Sequence, residues 1–246
     1  MRLKQCCLSF KIGERRRHLF GELSHIEKIL EVCERILYFL KVNILFLLSN
    51  IPVLLFFLFV GITSVREYLP FFLLCLLPVG PAFSAVLFAM NRMLHGTETS
   101  VWKDYRTGYT DEFGKKIFLA AIQMVLLWIF WTNVEFFSFQ MPFLPLMIFF
   151  FLLFAGTVLM TPNLYLLASR YQMAVKDYLR GAVLLTITKP ILTFGNLVAA
   201  VFVLMLLEIK AGTVVLFMAS IYGFLVVFMN QKVLRLLDEQ AAGAEN

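Results

Sequence analysis

Hydrophobic residues collect in six charge-free runs, 42–65, 68–91, 117–134, 136–169, 190–207 and 211–231. Crossing the hydrocarbon core as a helix takes about 20 apolar residues, and these runs match that length. Their apolar positions lie on all sides instead of alternating with polar ones, which excludes a β-barrel pattern. The pattern predicts an all-α, polytopic membrane protein with six transmembrane helices, the third continuing past Glu135 toward Phe139. Three regions follow from it. Residues 1–35 are a basic segment with an amphipathic lead-in helix, 36–232 the six-helix domain, and 233–246 a cytoplasmic tail whose small, polar end, 238–246, is expected to fray. Within the lead-in, Ser24 and Glu27 have capping-box spacing, and Leu23, Ile26, Leu30, Cys33 and Leu37 recur at helical intervals. Its acidic opposite face fits packing on protein better than contact with anionic lipid; an ordinary lead-in to the first span is the alternative.

The second run contains the stretch around which the chain is organised, Pro78-Val79-Gly80-Pro81-Ala82-Phe83-Ser84-Ala85. Proline has no N–H to donate, and Pro81 crowds the carbonyl one turn back. A kink or unwound segment at Pro78, Gly80 and Pro81 is therefore expected, tolerated at membrane depth only where neighbouring helices or a wet cavity satisfy the backbone. Ala82, Ala85 and Ala89 place small residues on one face for close helix packing. Further breaks are expected at Pro162 and Pro190, and the short link from Gly61 to Pro70 makes the first two spans a hairpin.

Charge sets the orientation, because short cytoplasmic loops collect Lys and Arg. Segment 1–35 holds eight, loop 92–116 five, loop 170–182 three and the tail two, against only Arg66 and Lys210 on the other side. Both termini are expected in the cytoplasm. The net charge of +6 is then a product of topology, and no nucleic-acid partner is implied. A composition of 61% hydrophobic and 15% charged residues agrees, since soluble domains carry about 25% charge. Cys6, Cys7 and Cys33 fall on the reducing side and form no Cys-x-x-Cys pair with Cys75. The Cys6–Cys7 pair beside Arg15-Arg16-Arg17 reads as inert, with acylation the alternative.

Enzymatic chemistry has no foothold in the sequence. His18, His25 and His95 make no metal-ligand spacing, and P-loop, Gly-x-Ser-x-Gly and His-Glu-x-x-His motifs are absent. No pair of carboxylates falls mid-span. Glu135 and Glu208 read as solvated end residues. No cofactor, metal site or catalytic residue is expected.

The loops carry the remaining signal. Residues 92–116 predict a short helix capped by Thr99 or Ser100, bearing Trp102, Lys103, Tyr105 and Tyr109. Aromatic rings and basic stems favour the headgroup region, so this is an interfacial anchor or a docking site for a cytosolic partner. Lys103-Asp104-Tyr105 and Gly108 recur as Lys176-Asp177-Tyr178 and Gly181, and Lys116 and Leu119 as Lys189 and Leu192. Each copy follows an even-numbered helix, so the echo is either a chance match or a parallel hairpin repeat of the kind transporter folds use.

Three strings add a resemblance. Asn43-Ile44-Leu45-Phe46-Leu47-Leu48-Ser49-Asn50-Ile51-Pro52, Gly80-Pro81-Ala82-Phe83-Ser84-Ala85 and Trp102-Lys103-Asp104-Tyr105 leading to Phe113-Gly114-Lys115-Lys116 resemble the YesL-like family of bacterial membrane proteins. That family often has Trp where this chain has Phe46. The resemblance implies a bacterial plasma-membrane protein whose genes accompany carbohydrate ABC importers, and it supplies no catalytic residues. Two readings follow. The first is an accessory or regulatory subunit that meets ABC permease subunits through Trp102, Lys103, Tyr105, Lys176 and Tyr178, with the bilayer and further copies of itself as other partners. The second is a sugar or oligosaccharide transporter or channel whose pathway runs past Pro78, Gly80 and Pro81.

Overall fold

The computed structural model describes residues 27–61, 63–140, 143–209 and 214–244, with side chains of the last helix described through residue 235. Cys6, Cys7, Arg15–Arg17 and the Ser24 cap lie outside the described residues. The chain divides into two compact units, Met1–Leu40 and Lys41–Asn246. Helix α1 is Glu27–Ser49. In the first unit Arg35 pairs with Glu31 one turn back at 2.6 Å, and Leu30 and Leu37 are exposed.

In the second unit every regular element among the described residues is a helix. At Asn50 the chain turns, and α2, Ile51–Phe59, leaves at 65° to α1. Pro52 enforces this, since it has no N–H to continue the ladder and fits the first turn of a new helix. The Asn50 side chain donates to the Phe46 carbonyl at 2.8 Å. Helix α3, Leu69–Leu76, returns along α2 through Phe56, Phe71 and Phe72, giving the expected hairpin.

The break at Pro78 is a single turn. Residues 77–78 leave the α-helical pattern, Pro78 keeps helical angles, and α4, Val79–Leu94, continues so that Leu69–Leu94 is one span. Gly80 through Leu87, Ala89 and Met90 are all buried. This helix is the hub, packed against α5 (Val101–Thr110), α6 (Phe113–Phe139), α7 (Leu144–Arg170) and α10 (Met218–Ala244). Its small face explains the closeness: Ala82, Ala85 and Ala89 are wholly buried, and a Cβ on Gly223 of α10 would sit 2.6 Å from Val86 Cγ1. Helices α8, Val175–Thr188, and α9, Pro190–Ile209, complete the unit, separated by the expected break at Lys189–Pro190.

Two expectations are corrected. Pro162 sits inside an unbroken α7; it frees the carbonyl of Val158 without ending a helix whose turns are held by close neighbours. The tail past residue 233 is helical to Ala244, because its Gln-Ala-Ala run consists of strong helix formers. Among the described residues four helices are long and apolar enough to cross a membrane, Leu69–Leu94, Phe113–Phe139, Leu144–Arg170 and Pro190–Ile209, or five if α1 and α2 form one bent span. The sixth run, 211–231, is shortened by a turn at 215–217, so α10 starts only at Met218 and reaches Lys232 soon after. Asn43 clips that start: its amide donates to Val215 O at 2.7 Å and accepts from Ala219 N–H at 2.9 Å.

Candidate functional site

Beside the turn at residues 77–78 and the start of α4 lies an open cavity of about 440 Å³ among α1, α4, α6, α7, α9 and α10. Gly80 forms part of its wall and is the point where three helices converge. A Cβ there would lie 2.8 Å from both Ala120 Cβ of α6 and the Tyr165 hydroxyl of α7. Pro81 is buried behind it, and Pro78 serves as the cap of α4 without lining the space. The lining is mainly apolar, with Phe83 and Tyr222 stacked at 5.5 Å, and Gln123, Thr161 and Tyr165 as its polar side chains beside Tyr222. Gln123 donates through Nε2 to the Thr161 hydroxyl, which in turn donates to Thr157 O at 3.1 Å. Its carbonyl oxygen Oε1 and the Tyr165 hydroxyl are buried without a hydrogen-bond partner. A buried group left unpaired costs about 1–3 kcal/mol.

Toward the loop face the bundle is joined by a file of amides. Asn230 of α10 donates to Asn196 Oδ1 of α9 at 3.0 Å, and Asn196 donates to Asn163 Oδ1 of α7 at 3.0 Å. Asn163 then donates to the Thr186 hydroxyl of α8, also at 3.0 Å. All three asparagines are buried, so the file replaces water for groups that apolar surroundings would otherwise leave unsatisfied.

Helices α5 and α8 lie at the same end of the bundle. Ser100 caps α5, accepting from Lys103 N–H at 3.3 Å. Behind that cap Asp104 is fully buried, accepting from Thr99 N–H and Oγ1–H and paired with Arg92 at 3.1 Å. Tyr105 is also buried; its hydroxyl donates to Ser49 of α1 at 2.9 Å, and burial raises its pKa. Gly108 presses on α4, where a Cβ would meet Phe88 Cβ at 2.7 Å and Ala85 Cα at 3.0 Å. The second copy repeats this architecture, with Tyr178 buried and Gly181 against Leu167 of the preceding helix. The copies differ at their acids, Asp104 buried and Asp177 exposed, and at their lysines, Lys116 buried and Lys189 exposed.

The two loops are clasped together. Tyr178 Oη accepts from Met173 N–H at 3.1 Å, and its proton lies between the Tyr171 carbonyl and Glu112 Oε2, the latter at 2.7 Å. Lys115 pairs with Glu112 and donates to Met173 O at 3.0 Å, while Gln172 donates to Asp111 at 3.0 Å. Glu112 holds a left-handed backbone (φ 47°) in the turn between α5 and α6. Desolvation pushes its carboxyl up, but hydrogen bonds from Lys115 and Tyr178 and the charges of Lys115 and Lys116 outweigh this and leave its pKa lowered. Burial, with the Glu112 charge alongside, raises that of Tyr178.

The five residues expected to meet a partner therefore divide. Trp102 (63% exposed), Lys103 and Lys176 stand outward, whereas Tyr105 (5%) and Tyr178 (1%) hold the short helices in place and offer no surface. This corrects the placement of both tyrosines: the aromatic edge of an amphipathic helix looks the same in sequence whether it faces headgroups or a neighbouring helix. At the other end of the bundle, Glu135 keeps the solvated position expected of it, pairing with the exposed Arg66 across a second recess. Among the described residues no group of His, Cys, Asp or Glu could hold a metal ion. Sequence reasoning missed Tyr165 and Tyr222, whose only signal was a polar tip on an otherwise apolar face.

Long apolar helices, buried inter-helix amides and a cavity between spans define a polytopic α-helical membrane protein. A family model described as a protein of unknown function, DUF624, matches residues 39–134, which run from α1 through most of α6. No curated protein and no solved structure matches the chain.

Proposed function

We propose that the protein is a YesL-like accessory or regulatory subunit of a carbohydrate ABC importer in a bacterial plasma membrane. In this reading both termini face the cytoplasm, and the α5–α8 face meets the importer's permease subunits. The observation that carries it is the rigid mounting of that face. Tyr105, Tyr178 and the Glu112 clasp fix two short helices while Trp102, Lys103 and Lys176 remain exposed. An aromatic and two cations on a preorganised support suit recognition, because little side-chain and loop ordering is left to be lost on docking. The excess of Lys and Arg on these loops supports the cytoplasmic assignment. The protein carries out no reaction of its own in this account, and self-association in the membrane is compatible with it.

A transporter remains the second reading, favoured by the cavity beside Gly80. The two are separated by purifying the tagged protein in gentle detergent from its native membrane and identifying what accompanies it. The accessory reading predicts permease subunits in stoichiometric amount, lost with Trp102→Ala/Lys103→Glu/Lys176→Glu while the melting temperature is kept. A clean homo-oligomer that moves sugars into vesicles would support transport instead.

A further inference from the structure

Helix α1 opens on a stretch left exposed along its whole length. Residues 27–37 all lie at the surface, and among them Ile29, Leu30, Val32, Ile36 and Leu37 are between 48% and 62% exposed. Glu27, Lys28, Glu31, Glu34 and Arg35 share the same stretch, and that density of charge keeps it out of the hydrocarbon core. Its apolar side chains therefore stand in water and call for a cover. Their order is regular. Leu23, Ile26, Leu30, Cys33, Leu37 and Leu40 follow one another at alternating steps of three and four residues, and in the sequence the alternation continues through Ile44 and Leu47. Unbroken heptad spacing of this length is the seam of a coiled coil.

Spacing and charge select the occupant. Leu30 and Leu37 hold one seam position of the heptad, Cys33 and Leu40 the other, and Ile29 and Ile36 widen the stripe on one flank. The charged side chains fall on the remaining arc, three acids against two bases. A helix that lies on anionic headgroups carries Lys and Arg on its polar face, so a lipid surface does not suit this one. Knobs-into-holes packing asks the same repeat of both helices, and a second copy of this chain supplies it. Copies inserted alike in one bilayer meet with this stretch parallel, the orientation in which each seam position faces its own counterpart. We propose that α1 is a self-association element whose seam of Leu30, Cys33, Leu37 and Leu40 pairs in parallel with the same seam of a second copy of the chain. The pairing does not depend on docking to an importer.

A parallel pair sets Cys33 opposite Cys33 of the second copy, so disulfide capture reads the seam directly. The full chain carries Cys6→Ser and Cys7→Ser, which leaves Cys33 exposed and Cys75 buried. It is oxidised with copper phenanthroline in the membranes of the expressing cell. Non-reducing gels should show a covalent dimer that disappears in Cys33→Ser. On that Cys33→Ser background, Leu30→Cys and Leu37→Cys should restore the dimer at several-fold the yield of Glu31→Cys and Arg35→Cys on the charged arc. Leu30→Glu/Leu37→Glu should strip the Cys33 dimer while the solubilised chain still elutes as one sharp peak; the cysteine scan decides the matter if that variant does not fold. Equal yields at all five positions would mean random collision and would overturn the proposal. So would the absence of a dimer at every seam position, or a Cys33 adduct to a different protein in its place.

Discussion

Lys116, in the first turn of α6, donates its ammonium to the carbonyl of Gly108 near the end of α5 at 2.8 Å, with only 1% of its surface exposed. A cation at a helix C-terminus meets carbonyls that have no partner within the helix. The bond ties the short helix to the span that follows it. Lys116→Met keeps the stem's bulk but leaves the Gly108 carbonyl unpaired, and should cost about 1.5–3 kcal/mol. Its sequence counterpart Lys189 is exposed, and Lys189→Met should change stability by no more than about 0.5 kcal/mol. Thermal melting in one detergent compares the two; equal losses would mean that burial of Lys116 is not what matters.

The glycines of the two copies should also respond differently. Alanine at Gly108 forces a methyl group against the Ala85 backbone and Phe88 Cβ, neither of which can swing aside. A loss of about 1–3 kcal/mol is expected, as for other overpacked sites. At Gly181 the same methyl meets only the tip of Leu167 at 3.1 Å, a flexible side-chain end. Melting curves of Gly108→Ala and Gly181→Ala should therefore separate by several degrees, with Gly108→Ala the lower.

The asparagine file predicts a non-additive pair. Asn196→Leu strips a donor from Asn163 and an acceptor from Asn230, and should cost about 1–2 kcal/mol. Adding Asn230→Leu removes one of the stranded groups, so the double variant should lose less than the sum of the singles. Strict additivity in a double-mutant cycle would show that the file is not a coupled unit.

Acid should open the clasp between the loops. Glu112 has a lowered pKa in the folded chain, so its contribution is fully present above the ordinary carboxylate range. That contribution is lost as pH falls through the lowered folded value. Hydrogen exchange at the Met173 amide, which donates to Tyr178, is the local probe. Protection should hold from neutral pH down to the ordinary carboxylate range and decline below it, and Glu112→Gln should flatten the profile at the weaker level.

Much of this architecture was legible because it rests on local signals. The small-residue run after Gly80, the Lys189–Pro190 break and the Ser100 cap each follow from what one residue type does to its own backbone. The tail and Pro162 went the other way, since helix propensity and neighbouring helices overrode the breaker signals. What stayed hidden depends on pairing across helices. Asn163, Asn196 and Asn230 are unremarkable singly, and Asn230 reads as a helix exit until α9 supplies its partner. Tyr165 is indistinguishable in sequence from exposed aromatics earlier in α7 such as Phe149 and Phe151; only the approach of Gly80 sets its hydroxyl apart.

The central claim, that the α5–α8 face is a docking surface, is tested most directly by site-specific crosslinking in the native membrane. A benzophenone amino acid would replace Lys103 or Lys176 on that face, or Phe194 on an exposed apolar surface of α9. Crosslinks to a permease subunit from positions 103 and 176, and none from 194, are predicted. Adducts confined to lipid at positions 103 and 176 would contradict it and leave the short helices as interfacial anchors.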